Sequence, residues 1–326
     1  MESPGREPIV ILLPVFNDWP SLSALLPKLD RALAGSGRRA DVLVVNDGST
    51  RAPSPGQVPG PFRSLGRVEL LNLRRNLGHQ RAIAVGLAYL EDRIGPETVV
   101  VMDADGEDDP DDVPRLLNRL EAEGGRSIVF AERARRSESW KFRFFYTLYK
   151  GIHRILTGQG VKVGNFSAIP RARLASLVVV SELWNHYAAA AFRSRQPYVL
   201  VPTRRAKRLD GHSSMNFVSL VVHGLSAMAV YSDVIGVRLL MMAVVLGLLS
   251  VAGLVGSLAI RLATPWLIPG WAPFIAGISL VLLVQAVMLA LNFSFTILGS
   301  RNGATVIPRR DFALFLGTVE PLGPAE

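Results

Sequence analysis

Two stretches near the carboxyl end constrain this chain most. Leu239–Ile260 runs for 22 residues without a charge, and Leu262–Ser300 is uncharged as well. As a helix the first would be about 33 Å long, enough for a hydrocarbon core of roughly 30 Å. Pro265, Pro269 and Pro273 break the early part of the second run, which places its spanning part at Phe274–Leu298. Two transmembrane helices are therefore expected, at about 236–260 and 274–298, with Trp266 and Trp271 at the level of an interfacial aromatic belt. The connection holds only Arg261, whereas Arg238, Arg301, Arg309 and Arg310 flank the other side. By the positive-inside rule, both the preceding domain and the tail (301–326) are expected in the cytoplasm. Small residues at Gly247, Ser250, Gly253 and Gly256 suggest close helix contact in the first span.

Ahead of the spans, apolar β-branched runs alternate with helical spacing. Strands are expected at Pro8–Phe16, Ala40–Val45, Val68–Leu73, Thr98–Met102 and Ser127–Ala131. Helices are expected at Ser21–Leu33, Gln80–Asp92 and Pro110–Glu123. This alternation means βαβ units and an α/β, Rossmann-like, mostly parallel sheet. Polar residues gather where four successive strands should end: Asn17 and Asp18, Asp47, Arg75 and Asn76, then Asp103 and Asp105. Together they define one rim, the edge at which such sheets bind ligands. No G-x-G-x-x-G follows the first strand, which removes the phosphate-binding turn of a dinucleotide dehydrogenase.

The acidic stretch is the most chemically specific. Val99-Val100-Val101-Met102 runs into Asp103-Ala104-Asp105-Gly106-Glu107-Asp108-Asp109-Pro110. If the backbone stays extended, Asp103, Asp105 and Glu107 share one side, roughly 7 Å apart in succession. Carboxylates that close repel one another unless a cation neutralises them, and hard divalent ions such as Mg²⁺ or Mn²⁺ prefer oxygen ligands. A solvated acidic loop capping the next helix is the plainer reading.

There are 36 basic residues against 27 acidic, a net charge of +9. That balance admits phosphorylated substrates and anionic lipid, and with the spans present no nucleic-acid partner is expected. The absence of cysteine excludes disulfides, thiolate catalysis and Cys-based metal sites. The polar start carries no hydrophobic signal core, so no cleaved targeting peptide is expected. Ser139–Leu156 mixes aromatic residues with Lys141, Arg143, Lys150, His153 and Arg154, as an amphipathic helix on an anionic membrane surface does. Met215–Ser232 is a second, milder candidate leading into the first span. The chain then divides into a domain at 1–210 (its amphipathic helix at about 139–157), a juxtamembrane helix at 211–233, the two spans within 234–300, and the tail.

In order along the chain come Pro14–Asn17 (P-x-x-N), Asn46–Thr50 (N-D-G-S-T), Arg75–Gln80 (R-N-x-G-H-Q) and Met102–Asp105 (M-D-A-D). The Arg133/Arg136 region, Phe145-Tyr146, Gly164-Asn165-Phe166 and Arg208-x-x-Gly211-x-Ser213 follow. This ordered set resembles the membrane-bound polyprenyl-phosphate glycosyltransferases of glycosyltransferase family two, the bactoprenol glucosyltransferase and dolichol-phosphate mannose synthase group. The resemblance implies a GT-A domain and inverting transfer of one hexose from a nucleotide-diphospho-sugar to a polyprenyl phosphate. It implies donor contacts from Pro14, Asn17, Asp18, Asp47 (to the nucleoside), Gly48, Ser49, Arg75, Asn76, Gly78, His79, Asp103 and Ala104. Asp103, Asp105 and Glu107 would hold Mg²⁺ or Mn²⁺ with the diphosphate. Arg133, Arg136 and Arg208 would hold phosphates, with Arg136, Arg208 and Ser213 on the acceptor side. Asn165 occupies the position of an Asp proposed as a base in some members. Glu107 replaces the usual Gln, and Ser214 a lysine.

A polyprenyl phosphate is already anionic, so Asn165 need not prevent transfer. His79 could touch the donor or be a satisfied loop histidine. A GDP-mannose-dependent enzyme and a noncatalytic nucleotide-sugar-binding scaffold are the competing readings. A processive synthase would need more spans and a Q-x-x-R-W motif. The family resemblance also implies an oligomer.

Overall fold

The computed structural model of the chain describes residues 8–53, 58–133, 151, 154–158, 163–204, 206–210, 217–263, 271–302 and 305–322. Two compact units divide it: Met1–Glu138 with Val161–Val230 and Thr305–Glu326, and Ser139–Gly160 with Tyr231–Ala304.

The first unit is built on an eight-stranded sheet in the order β7-β5-β6-β4-β1-β2-β3-β8. The strands are β1 (Ile9–Val15), β2 (Ala40–Asn46), β3 (Leu65–Leu73), β4 (Thr98–Val101), β5 (Ile128–Arg133), β6 (Val163–Pro170), β7 (Tyr198–Thr203) and β8 (Leu316–Pro321). β1 runs parallel to β2 and β4, β2 to β3, and β5 to β7. β6 is antiparallel to β4 and β5, and β8 is antiparallel to β3.

The β1 sequence explains its central place. Every residue from Val10 to Val15 is buried, so both faces must be covered. Val10 and Leu12 enter one core, whereas Ile11, Leu13 and Val15 enter the other. Helix α1 (Trp19–Gly35) seals the second core with Leu22, Leu25, Leu26, Leu29 and Leu33, joined by Leu116, Leu117 and Leu120 of α3 (Val113–Ala122). The opposite core takes Ala82 to Leu87 from α2 (His79–Tyr89) and Tyr187 to Ala191 from a later helix, Tyr187–Arg193. Each large side chain withdrawn this way contributes about 1.5–3 kcal/mol by leaving water.

The short helix α4 (Arg171–Leu177) follows β6, α5 is Tyr187–Arg193, and α6 (Phe217–Ala229) lies within the span expected for the juxtamembrane helix. The amphipathic helix expected at 139–157 lies almost wholly outside the described residues. β6, β7 and β8 are strands that the apolar patterning does not announce.

The second unit contains α7 (Ser232–Ala263) and α8 (Trp271–Asn302), both long and apolar enough to cross a membrane. Gly236, Ala243, Ser250 and Ser257 are buried on α7 at seven-residue intervals, and Ser279 and Ala286 on α8 share that spacing. A Cβ built on Gly253 would come within 2.9 Å of Ser279 Oγ, and one on Gly247 within 3.7 Å of Ala286. Of the expected small residues, Gly247, Ser250 and Gly253 lie at this contact or are buried, whereas Gly256 faces open space. Large side chains such as Leu248, Leu249, Leu258 and Val281 point outward. Small inside and large outside is the arrangement of helices that pack in lipid.

After α8 the chain re-enters the first unit through α9 (Pro308–Asp311) and β8. Arg309 pairs with Glu91 and with Asp92, the latter at 2.7 Å. Phe312 is buried and Phe315 packs on Trp184 with ring centroids 4.8 Å apart. The expected tail is thus an edge of the sheet.

Candidate active site

Three loops at the carboxyl ends of β1, β2 and β3 are knitted by short polar side chains. Asn17, held at φ 56°, accepts the N–H groups of Thr50 at 2.9 Å and Arg51 at 3.2 Å through Oδ1. Its own N–H donates to Ser49 Oγ at 2.9 Å, and Ser49 N–H donates to Asn46 Oδ1 at 2.9 Å. Asp47 is buried and accepts Leu77 N–H at 2.7 Å and Gly78 N–H at 2.9 Å. Burial raises its pKa although both amides favour the charged form. Gly48 needs φ +67°, and a Cβ there would come within 2.5 Å of the Asn76 backbone nitrogen. Asp47 and Gly48 therefore bind the 75–78 loop to β2.

Several expected donor contacts consequently have structural roles in the described residues. Pro14 is buried inside β1, and the Ala104 side chain belongs to the core. Asp47, expected at the nucleoside, directs each carboxylate oxygen to a backbone amide. Arg75, Asn76 and His79 remain exposed at the rim.

Beyond β4 the extended backbone ends at Val101, earlier than expected. Residues 104–106 turn, with Gly106 at φ +79°, and Asp105 Oδ1 accepts Glu107 N–H at 2.9 Å. The two-residue alternation that would line up Asp103, Asp105 and Glu107 is broken. Among the described residues no group of three His, Asp or Glu side chains could hold a metal ion. This corrects the expected three-carboxylate cage. Asp103 and Asp105 still offer hard oxygens at the rim, which fits a divalent ion whose remaining ligands come from phosphate and water.

Opposite this turn, a segment after β7 is pinned across it. Ala206 N–H donates to Glu107 O and Leu209 N–H to Asp105 O, each at 3.0 Å. Leu209 fills the space over Gly106, where a Cβ would collide with its Cγ. Arg208 is thereby aimed between two carboxylates. Its Nη2 is 2.5 Å from Asp18 Oδ2 and its Nη1 is 3.2 Å from Asp105 Oδ2.

A polar cluster adjoins Asp103. His79 Nε2 is 3.1 Å from Asp103 Oδ1, and Asn165 Nδ2 is 3.0 Å from the same ring nitrogen and 3.3 Å from Asp103 Oδ1. The protein crowded around the ring disfavours a charged His79 although the side chain is 43% exposed, but Asp103, with Asp105 and Asp47 beyond it, outweighs that and raises its pKa. Gln80 and Asp108 complete the surroundings. Gln80 Nε2 donates to Asn165 Oδ1 at 3.1 Å, and Asp108 Oδ2 accepts Asp103 N–H at 3.0 Å. Neither is singled out by the sequence, although Gln80 closes the R-N-x-G-H-Q motif.

Asp18, Asp103, Asp105, Arg208, His79 and Asn165 are therefore linked at one rim. Arg133 ends β5 opposite Thr203, and Arg136 and Ser213 lie outside the described residues.

The model of the family described as glycosyl transferase family 2 matches residues 10–178, just over half the chain. The chain belongs to glycosyl transferase family 2. Its match ends before Arg208, so the segment across the acidic turn lies beyond the shared region. One curated relative is the undecaprenyl-phosphate 4-deoxy-4-formamido-L-arabinose transferase of Edwardsiella ictaluri (strain 93-146), 27% identical over 220 residues. The alignment covers 65% of this chain and 64% of that relative, so the family 2 chain spans less than two thirds of its relative's length. A solved structure similar to it is glucosyl-3-phosphoglycerate synthase from Mycobacterium tuberculosis, in complex with Mn²⁺, uridine-diphosphate-glucose and phosphoglyceric acid. That likeness has a TM-score of 0.50 at 14% identity, over 71% of this chain and 80% of the other. The sheet unit of this family 2 member thus has the GT-A fold.

Proposed function

We propose that this family 2 member is an inverting transferase. It moves one hexose from a nucleotide-diphospho-sugar, UDP-linked by preference, to a polyprenyl (undecaprenyl) phosphate at the cytoplasmic membrane face. The observation that carries this reading is the meeting of Asp18, Asp105 and Arg208 beside Asp103, on a chain that also contains two apolar helices. The curated relative's name, with its undecaprenyl-phosphate acceptor, supports the acceptor class. The solved relative's Mn²⁺ and uridine-diphosphate-glucose agree with the donor class.

Asp103 and Asp105 would hold Mg²⁺ or Mn²⁺, which when bound supplies a Lewis acid for the leaving diphosphate. The remaining work falls to the chain's own groups. Arg208, held by Asp18 and Asp105 in this structure, would turn its planar fork to phosphate oxygens when the donor binds, a match that a lysine point charge lacks. Arg133, Arg136 and Ser213 are assigned to phosphates from the motif series alone. Asn165 is no base at neutral pH, which suits an acceptor that arrives as an anion and needs no deprotonation. An alcohol acceptor would need a proton acceptor, which Asn165 does not supply.

Purified protein given labelled UDP- or GDP-sugars and a polyprenyl phosphate tests the proposal. Transfer from a UDP-sugar is expected, falling at least about 100-fold in Asp105→Ala if that carboxylate holds the ion that stabilises the leaving diphosphate. Transfer only from GDP-mannose would reassign the donor. Nucleotide binding without transfer from any donor would make the protein a scaffold.

A further inference from the structure

We propose that Gln80 is a positioning residue: it passes the polarity of one backbone amide to Asn165 and so points a hydrogen-bond donor at the Asp103 carboxylate. The chain of contacts starts at Tyr187, the first residue of α5. Its N–H lies 2.7 Å from the Gln80 side chain, and a backbone N–H can only donate. The atom facing it must therefore be Gln80 Oε1. That leaves Gln80 Nε2 facing Asn165 at 3.1 Å, so the Asn165 atom there must be Oδ1. Asn165 Nδ2 is then turned toward Asp103 Oδ1 and His79 Nε2.

Both amides are sealed from water, Gln80 being 8% and Asn165 7% exposed, so solvent does not reset either orientation. Reversing one member would bury an oxygen against an oxygen, which is costly away from water. The same logic gives position 165 a donor-side task. An Asp there would still accept from Gln80, but its second oxygen would face the Asp103 carboxylate. Asn instead supplies an N–H that steadies Asp103. The consequence for donor binding rests on the proposed role of Asp103 in holding the metal-bound diphosphate.

Gln80→Glu isolates the relay from simple packing. The introduced carboxylate keeps an acceptor for Tyr187 N–H, so α5 stays anchored, but its other oxygen forces the Asn165 amide to turn over. In Gln80→Leu both contacts vanish. The expected result has three parts. The ¹⁵N-labelled side-chain amide signal of Asn165, identified by its loss in Asn165→Asp, moves in Gln80→Glu as it does in Asp103→Asn. The melting temperature falls in both variants, because Gln80→Glu buries a carboxylate and Gln80→Leu leaves Tyr187 N–H unpaired, so the amide signal rather than stability identifies the relay. Mn²⁺·UDP or Mn²⁺·GDP binds Gln80→Glu and Asn165→Asp about tenfold or more weakly, as for other groups that orient metal ligands. An unmoved Asn165 signal in Gln80→Glu overturns the relay, as does wild-type nucleotide binding by that variant. Wild-type protein that takes up neither complex would overturn the donor reading instead, and the amide signal alone would then decide the relay.

Discussion

One carboxylate oxygen of Asp30, Oδ1, accepts the backbone N–H groups of Arg63, Ser64 and Leu65 at 2.9, 2.7 and 3.0 Å. Burial alone would raise its pKa, but those three donors outweigh it and the pKa is lowered. The folded value lies below the unfolded one near 3.9. The resulting stability is therefore fully present above that unfolded value and lost as pH falls through the folded one. Asp30→Ala should cost about 1–3 kcal/mol by leaving buried amides unpaired. Thermal melts from pH 7 down to 3 check this, and the variant should show a flatter acid limb than the wild type. In the sequence Asp30 is only a polar break in an amphipathic helix. Asp47 is similar: its place after β2 was legible, whereas its two backbone amides arrive from a loop 30 residues away. By contrast Asp18, Asp103, Asp105 and Arg208 were read as site residues from their motifs. What could not be read was that Arg208 would bridge two of those carboxylates, because that depends on where its segment crosses.

At the scale of elements, the buried strands announced themselves. β1, β2 from Val42 to Val45, and β4 from Val99 are apolar runs because both faces are covered, and that pattern leaves little else for them to be. β6 did not announce itself. Gly164, Asn165 and Ser167 interrupt its apolar residues, and the two side chains find partners that include Gln80 and Tyr187 on neighbouring helices. β8 is an exposed edge strand whose identity is set by β3, and edge strands need little apolar sequence. The Asp105–Glu107 turn failed the extended-chain expectation at Gly106. Gly106→Ala should therefore act on the turn rather than on the core. It places a side chain at φ +79° and into Leu209, straining the backbone by about 1–2 kcal/mol. Transfer should drop at least tenfold as Arg208 shifts, with little change in far-ultraviolet circular dichroism. Wild-type transfer by that variant would show that the crossing segment does not position the rim.

For the whole molecule, the two long apolar helices were legible because each contains a long run without a charge. The return of the chain to the sheet was not, since Thr305–Leu322 carries only modest apolar content. Phe312 is its anchor, 3% exposed within the core that also holds Leu73 and Leu77. Phe312→Ala should cost about 3–5 kcal/mol. The melting temperature of the sheet unit reports that loss, and an unchanged value would mean the closing segment is dispensable. The apolar helix pair is thus an insertion between one part of a sheet and its last strand. During synthesis β3 keeps an unpaired edge until both helices have left the ribosome, and an open edge is a template for wrong pairing. On the proposed membrane reading, entry of the helix pair into lipid is coupled in time to completion of the sheet: a chain stalled at a bilayer would also be a chain with its sheet unfinished.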